Sequence, residues 1–248
     1  MGPALSASLP EAGRAPPPSR SGAFIAPAGD AAPMLTLGVL ASGSGTNLQA
    51  ILDACAQRRI DAQVAVVVSD KAQAKALDRA RAAGVRAVHL DPAGKPREAH
   101  DLAMVQELRA SRVELVCLAG YMRLLSPLFV RAFPDRIVNI HPALLPAFPG
   151  LHAQRQALAY GVKLAGCTTH LVDEQVDHGP VLMQAAVPVL EDDTEESLKL
   201  RILAQEHLLY PATIQLFAEG RVKVEGRRAR ILPRRAPGGD EALRNPPV

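Results

Sequence analysis

Residues 35–52 read LTLGVLASGSGTNLQAIL, and the order of events in that stretch decides the architecture. A short apolar run fills 35–40. The turn Ala41-Ser42-Gly43-Ser44-Gly45 follows, and Leu48, Ile51, Leu52 and Cys55 then recur at helical spacing. A buried strand, a glycine-bearing turn and an amphipathic helix in that order open a nucleotide-binding-like α/β fold. Glycines in such a turn let the backbone approach an anion closely, and the unpaired amides of the helix start point at it. Thr46 and Asn47 add side-chain donors. The turn is not GxGxxG, because Leu48 stands where the third glycine belongs, and no GK[ST] follows. A phosphate monoester therefore suits it better than a dinucleotide or a triphosphate. A plain strand-to-helix turn also contains glycine, so this segment alone leaves that reading open.

Working outward, the same rhythm repeats. Strand-like runs at 64–68, 85–90, 115–118 and 136–140 alternate with helical patterns at 74–83 and 98–110, the latter with Leu102, Val105 and Leu108 at core spacing. Short apolar runs separated by helices signify a parallel sheet covered on both faces. Ligands on such sheets sit at the carboxyl ends of the strands, beside a switch in strand order. After Ile140 the pattern changes. A proline-rich loop at 141–150 leads to a helix at 153–160, then to two longer strands at 163–172 and 181–190 joined by a polar connection. A last helix starts near Thr194, with Glu195 and Glu196 in its first turn, and Pro211 is expected to kink or interrupt it. The fold class is thus α/β: a mostly parallel twisted sheet with helices on both faces, Rossmann-like first and mixed or antiparallel later.

The 248 residues divide into a body and two ends. Residues 1–33 hold seven of the 21 prolines and read as a disordered leader, either a dispensable extension before Met34 or a transit peptide. Residues 34–225 form a single domain, and 226–248 read as a disordered, basic, proline-rich tail. The net charge of +3 belongs to the end of the chain: from Arg221 onward the balance is +5, whereas 34–220 carries −2. A folded nucleic-acid binder needs a basic body and stacking aromatics, and here aromatics are 3% with no tryptophan. No apolar run is long enough for a membrane helix. Cys55, Cys117 and Cys167 are scattered and odd in number, which excludes a disulfide framework and suits a reducing cytoplasm. Cys117, inside an apolar strand, reads as core, and no ligand spacing for a metal is present.

Two segments carry candidate chemistry. In Asn139-Ile140-His141-Pro142, at the carboxyl end of a strand, Asn139 and His141 point to the same side. An amide donor beside an imidazole serves a reaction that develops an oxyanion. One histidine alone is more often a core residue, and position at the ligand edge of the sheet is what favours chemistry. The connection at 173–180, DEQVDHGP, is by composition a hairpin turn with solvated acids.

Taken together, LASGSGTNLQAIL, VVVSDK, LAGYMRLLSPLFV, RIVNIHPALLPAFPGLHAQRQAL, GCTTHLVDEQVDHGPVLMQAAVPV and QEHLLYP resemble the phosphoribosylglycinamide formyltransferases, within the folate-dependent formyltransferase superfamily. The resemblance covers about 35–224, in the family's order. It implies transfer of a formyl group from the co-substrate 10-formyltetrahydrofolate to the amine of 5-phosphoribosylglycinamide in purine synthesis, with no tightly bound cofactor. Asn139 would donate to the oxygen of the tetrahedral intermediate, and His141 would act as acid and proton relay. Asp177 would hold that histidine or a water and favour imidazolium, as a nearby carboxylate does. No covalent intermediate is needed. Gly45, Thr46 and Asn47 match the family's phosphate loop, and Glu206 the acid on the ribose hydroxyls, where composition alone would make it a solvated helix acid. Arg97 matches a folate-contacting arginine, and Met122, Arg123, Leu124 and Leu125 the segment that takes the pterin. Asp173, Glu174, Gln175, Val176 and Asp177 would close over the pterin, with His170 behind them. The implied partners are two small substrates, with the chain a monomer or homodimer.

Two positions depart from the pattern: Gln154 stands where many relatives have a second histidine, and His178 where they often have a small residue. The rivals are formyl transfer to methionyl-tRNA, for which the residues after Val224 are too few to build an RNA-binding domain, and formyltetrahydrofolate hydrolysis, whose folded regulatory domain the first 33 residues are too short and polar to supply. A nucleotide-binding module without catalysis would explain the glycine turn but not Asn139, His141 and Asp177.

Overall fold

A computed structural model describes residues 1–2 and 34–234. The leader at 3–33 and the end of the tail at 235–248 lie outside the described residues.

The elements run β1 (Leu35–Leu40), α1 (Thr46–Ala56), β2 (Ala62–Ser69), α2 (Lys75–Ala82), β3 (Arg86–His89), α3 (Arg97–Ala110), β4 (Leu115–Leu118), α4 (Pro127–Ala132) and β5 (Ile137–His141). Then come α5 (Ala153–Tyr160), β6 (Leu164–Leu171), β7 (Val181–Pro188), α6 (Glu195–Ala218), β8 (Val222–Glu225) and β9 (Arg228–Ile231). The main sheet has the order β3-β2-β1-β4-β5-β6-β7. β1 to β5 pair in parallel, and β6 and β7 are antiparallel additions. The strand order reverses between β1 and β4, so the loops leaving those two strands open a crevice at their carboxyl ends.

Alternation in the strands feeds two cores. Leu37, Val39, Leu115, Cys117, Val138 and Ile140 face α1, α2 and α6. Leu40, Val66, Val68, Val116, Leu118 and Ile137 face α3 and α4. Cys117 is fully buried there, and burial pushes its thiol up to about 12, which makes it core and not nucleophile. α5 and the amino-terminal part of α6 pack on β6 and β7 as a third cluster. No helix among the described residues is long and apolar enough to cross a membrane.

Three expectations are corrected. Of the kink or interruption expected at Pro211, the interruption does not occur: α6 runs for 24 residues with Tyr210 and Pro211 buried within it. Tertiary packing on the sheet outweighs the lost amide bond. Leu102 is 45% exposed, and α3 instead buries His100, Asp101, Met104, Val105 and Leu108. The expected tail does not begin at 226: β8 and β9 form a hairpin, with Glu225 opposite Arg228 and a two-residue turn of Gly226 and Arg227 between them. Its Val222, Val224 and Ala229 pack against the first core.

Candidate active site

The turn after β1 is built for close approach. Gly45 caps α1 at φ 70°, a left-handed conformation, and a Cβ there would stand 2.8 Å from the Ala76 Cα at the start of α2. Only glycine satisfies both demands. The turn is braced from the other side of the switch point. Ser42 N–H donates to Gly120 O at 3.1 Å, and Met122 N–H donates to Ser42 Oγ at 3.0 Å. Arg79 of α2 donates to Ser44 O at 2.8 Å and to Gln49 Oε1 at 3.0 Å. The amides of Thr46, Asn47 and Leu48 open the helix without intrahelical acceptors. Beside them lies a cleft of about 490 Å³ whose walls include Thr46, Gln49, Arg59, Arg79 and His207. His207 Nε2 is buried without a protein partner. Burial, then the nearby Arg79 charge, lower its pKa, and an anion in the cleft would oppose both.

Asn47 and Glu206 meet across the fold. Asn47 Nδ2 donates to Glu206 Oε2 at 2.7 Å, and both residues are buried. Glu206 is therefore not a solvated helix acid. Burial raises its pKa and the Asn47 amide offsets that only in part. Asn47 Oδ1 is buried without a protein partner. The pair thus holds a buried acceptor with unused bonding capacity.

The side chains of Asn139, His141 and Asp177 meet. β5 delivers the first two from the same side of the strand. Asp177 arrives from the connection after β6, at φ 49°, a conformation that non-glycine residues seldom adopt and that clusters at functional sites. Its Oδ1 is 3.4 Å from Asn139 Nδ2, and its Oδ2 is 3.3 Å from His141 Nδ1. Gly150 N–H donates to the same Oδ2 at 2.8 Å, so Asp177 ties its own loop to the one after β5. His170 is the direct cross-strand partner of Asn139. Its Nδ1 donates to Leu171 O at 2.8 Å, and its Nε2 stands 3.1 Å from Asn139 Nδ2 and 3.6 Å from Asp177 Oδ1.

His141 is 4% exposed and donates from Nε2 to Phe148 O at 2.8 Å. Its pKa is lowered, not raised as expected. Burial outweighs the Phe148 carbonyl and the Asp177 carboxylate, and the His170 ring adds to the lowering. For Asp177, burial pushes upward, but His170, the Gly150 amide and His141 together hold the carboxyl below its ordinary range. The neutral imidazole beside an ionised carboxylate is the combination that can take up a proton and hold it.

The residues expected to contact folate are mostly exposed. Met122 and Leu124 are 64% and 59% exposed, Arg123 and Leu125 are half-buried, and Arg123 Nε has no protein partner. Glu174, Gln175 and Val176 are exposed at the tip of the loop, and Arg131 of α4 pairs with Glu174 at 3.0 Å. Arg97 is exposed as the first residue of α3. A separate apolar cavity of about 400 Å³ behind the 142–148 loop holds none of the expected residues. Sequence reasoning missed Arg79, His207, Phe148 and Gly150. Arg79 left a faint signal, as a cation one helical turn inside the helix that packs on the glycine turn, and His207 a fainter one, next to Glu206. Phe148 and Gly150 act through main-chain atoms and left none.

The family model described as formyl transferase matches residues 36–214. Phosphoribosylglycinamide formyltransferase of Escherichia coli (strain K12) is 45% identical over 201 residues, 80% of this chain and 94% of that protein. The trifunctional purine biosynthetic protein adenosine-3 of Drosophila melanogaster is 48% identical over 187 residues, and the match spans 73% of this chain and 14% of that longer protein. The crystal structure of glycinamide ribonucleotide transformylase 1 from Symbiobacterium toebii superposes with a TM-score of 0.80 at 63% identity, covering 81% of this chain and 95% of that one. The chain belongs to the formyl transferase family.

Proposed function

We propose that the protein is a phosphoribosylglycinamide formyltransferase that moves the formyl group of 10-formyltetrahydrofolate to the glycinamide amine in purine synthesis. The observation that carries this is the meeting of Asn139, His141 and Asp177 at the end of β5, in a sheet whose switch point joins the glycine turn to Met122. The phosphate sits on the amides of 45–47 with Arg79 and His207 behind them, and the Glu206–Asn47 pair takes the ribose hydroxyls. The pterin lies against 122–125 under the 173–176 loop, with Arg97 and Arg123 as cations for the folate's carboxylates.

The amine nitrogen attacks the formyl carbon. A C–N bond forms, and the carbonyl electron pair moves to oxygen. Asn139 Nδ2 donates to that oxygen, which displaces the long 3.4 Å contact to Asp177 and keeps the one to His170. One proton leaves the attacking nitrogen, and one must reach the folate nitrogen before its bond to carbon breaks. Neutral His141 receives charge in that exchange, because Phe148 O and Asp177 Oδ2 stand ready to stabilise it. No side-chain nucleophile takes part.

An assay of the purified chain with 10-formyltetrahydrofolate and each acceptor in turn tests this reading. Formylation of the glycinamide ribonucleotide, with neither formyl-methionyl-tRNA nor acceptor-independent hydrolysis at a comparable rate, is expected. Transfer to methionyl-tRNA alone, or hydrolysis alone, refutes it.

A further inference from the structure

The loop that carries Asp177 is fastened to the C-terminal hairpin by side chains that the reaction does not use. His178 Nδ1 donates to Asp173 Oδ2 at 2.7 Å, and the Arg227 guanidinium stands 2.9 Å from His178 Nε2 and 3.1 Å from Nδ1. Asp173 Oδ1 accepts the Gln175 N–H at 2.9 Å, so one carboxylate closes the loop on itself twice. The carboxylate can only accept, which puts the hydrogen on Nδ1 and a lone pair on Nε2. The guanidinium nitrogen is nearly equidistant from the two ring nitrogens, so it lies against the face of the imidazole while Asp173 holds Nδ1–H.

Each end of this chain rests on something firm. Arg227 occupies the two-residue turn of a hairpin whose Val222, Val224 and Ala229 are packed on the core. Arg221 and Leu232 close the hairpin's open end through N–H to O bonds in both directions, at 2.8 and 2.7 Å. On the loop side, Leu171 N–H donates to Pro180 O at 2.9 Å, and a Cβ at Gly179 would fall on the Leu171 carbonyl. The loop's base is therefore set, while its tip at 174–176 is exposed. Lateral fastenings decide where the tip lies: Arg131 to Glu174 on one flank, Arg227 to His178 on the other.

We propose that Arg227, acting through His178, is a positioning residue that holds the 173–177 loop where Asp177 meets Asn139 and His141 and the tip covers the folate. The substrate readout rests on the function proposed above, whereas the fastening itself does not. With His178 and Asp173 40% and 37% exposed, the effect is that of a solvent-screened contact, about three- to fivefold.

The test compares the full chain with Arg227→Ala, Arg227→Lys, His178→Ala and the Arg227→Ala/His178→Ala pair. Amide hydrogen exchange at 174–178 is followed in the free protein, and kcat and KM are measured for both substrates. Arg227→Ala should speed exchange, raise the folate KM and lower kcat, each by about three- to fivefold, with the acceptor KM unchanged. Arg227→Lys should restore most of it, His178→Ala should reproduce it, and the double variant should be no worse than either single one. Unchanged exchange in both single variants, equal rises in both KM values, or effects that multiply in the double variant overturn the proposal. If Arg227→Ala also loses protection at 222–231, His178→Ala decides, since it leaves the hairpin intact. A chain that transfers no formyl group at all sinks the functional reading, and exchange still decides the fastening.

Discussion

At His141 two acceptor oxygens face one imidazole, and the outcome is set by desolvation. Burial disfavours the charged ring by more than Phe148 O and Asp177 favour it, so the ring is neutral near pH 7. The acid limb of kcat/KM should therefore have its midpoint below the usual histidine value of 6.5, and a midpoint above it refutes the assignment. The sign for stability is the same. A depressed pKa contributes stability that is present above the unfolded value and lost as pH falls through the folded one, and Asp177 adds a second loss of this kind below 3.8. Melting temperature should accordingly fall on acidification below 6.5 and again below 3.8. His141→Ala should lower kcat by about 10²–10⁴ while acceptor binding, read by calorimetry, stays near normal. Asn139→Asp removes the donor and sets a second carboxylate against Asp177, so its turnover should fall by more than the roughly 10²–10³ of a lost oxyanion donor. Asn139 and His141 were legible because period-two alternation places them together on one strand. The direction of the His141 shift was not, because a sequence does not show how much water a side chain loses.

Among the elements, the glycine turn between a strand and a helix was legible, and the packing that also demands glycine at position 45 was not. Ala76 at the start of α2 fills the space a side chain at position 45 would need. Gly45→Ala combines a left-handed φ with that clash. It should destabilise by more than about 1 kcal/mol, seen in urea unfolding, and raise the acceptor KM far more than the folate KM. The start of α6 was equally legible: Thr194 accepts from Ser197 N–H and Ser197 Oγ accepts from Thr194 N–H, a closed capping box. Its passage through Pro211 was not, because a local rule about proline carries no information on the packing that overrides it. The β8–β9 hairpin had its own signal, VKVEGRRARI with alternating apolar positions around Gly226. The density of positive charge there reads as a tail unless the core that Val222 and Val224 cover is in view.

For the whole molecule, Tyr210 joins the last helix to the sheet where the site is assembled. Its hydroxyl donates to Val138 O at 2.9 Å, with Leu118 O at 3.1 Å, the carbonyls of two strands that carry site loops. Tyr210→Phe leaves both carbonyls buried and short of a donor. It should cost about 1–2 kcal/mol and lower the melting temperature by about 3–6 °C with the catalytic residues untouched. By itself the sequence determined the α/β alternation, the glycine turn, the reversal of rhythm after β5 and the chemical types gathered in the second half, because hydrophobic period and turn chemistry are local properties. Only the tertiary structure decided that Glu206 is buried against Asn47, that His170 stands behind Asn139, that burial keeps His141 neutral, and that the hairpin at 222–231 reaches the loop of Asp177. Each of these is a meeting of residues far apart in the chain, and desolvation and hydrogen bonding take their values from such meetings.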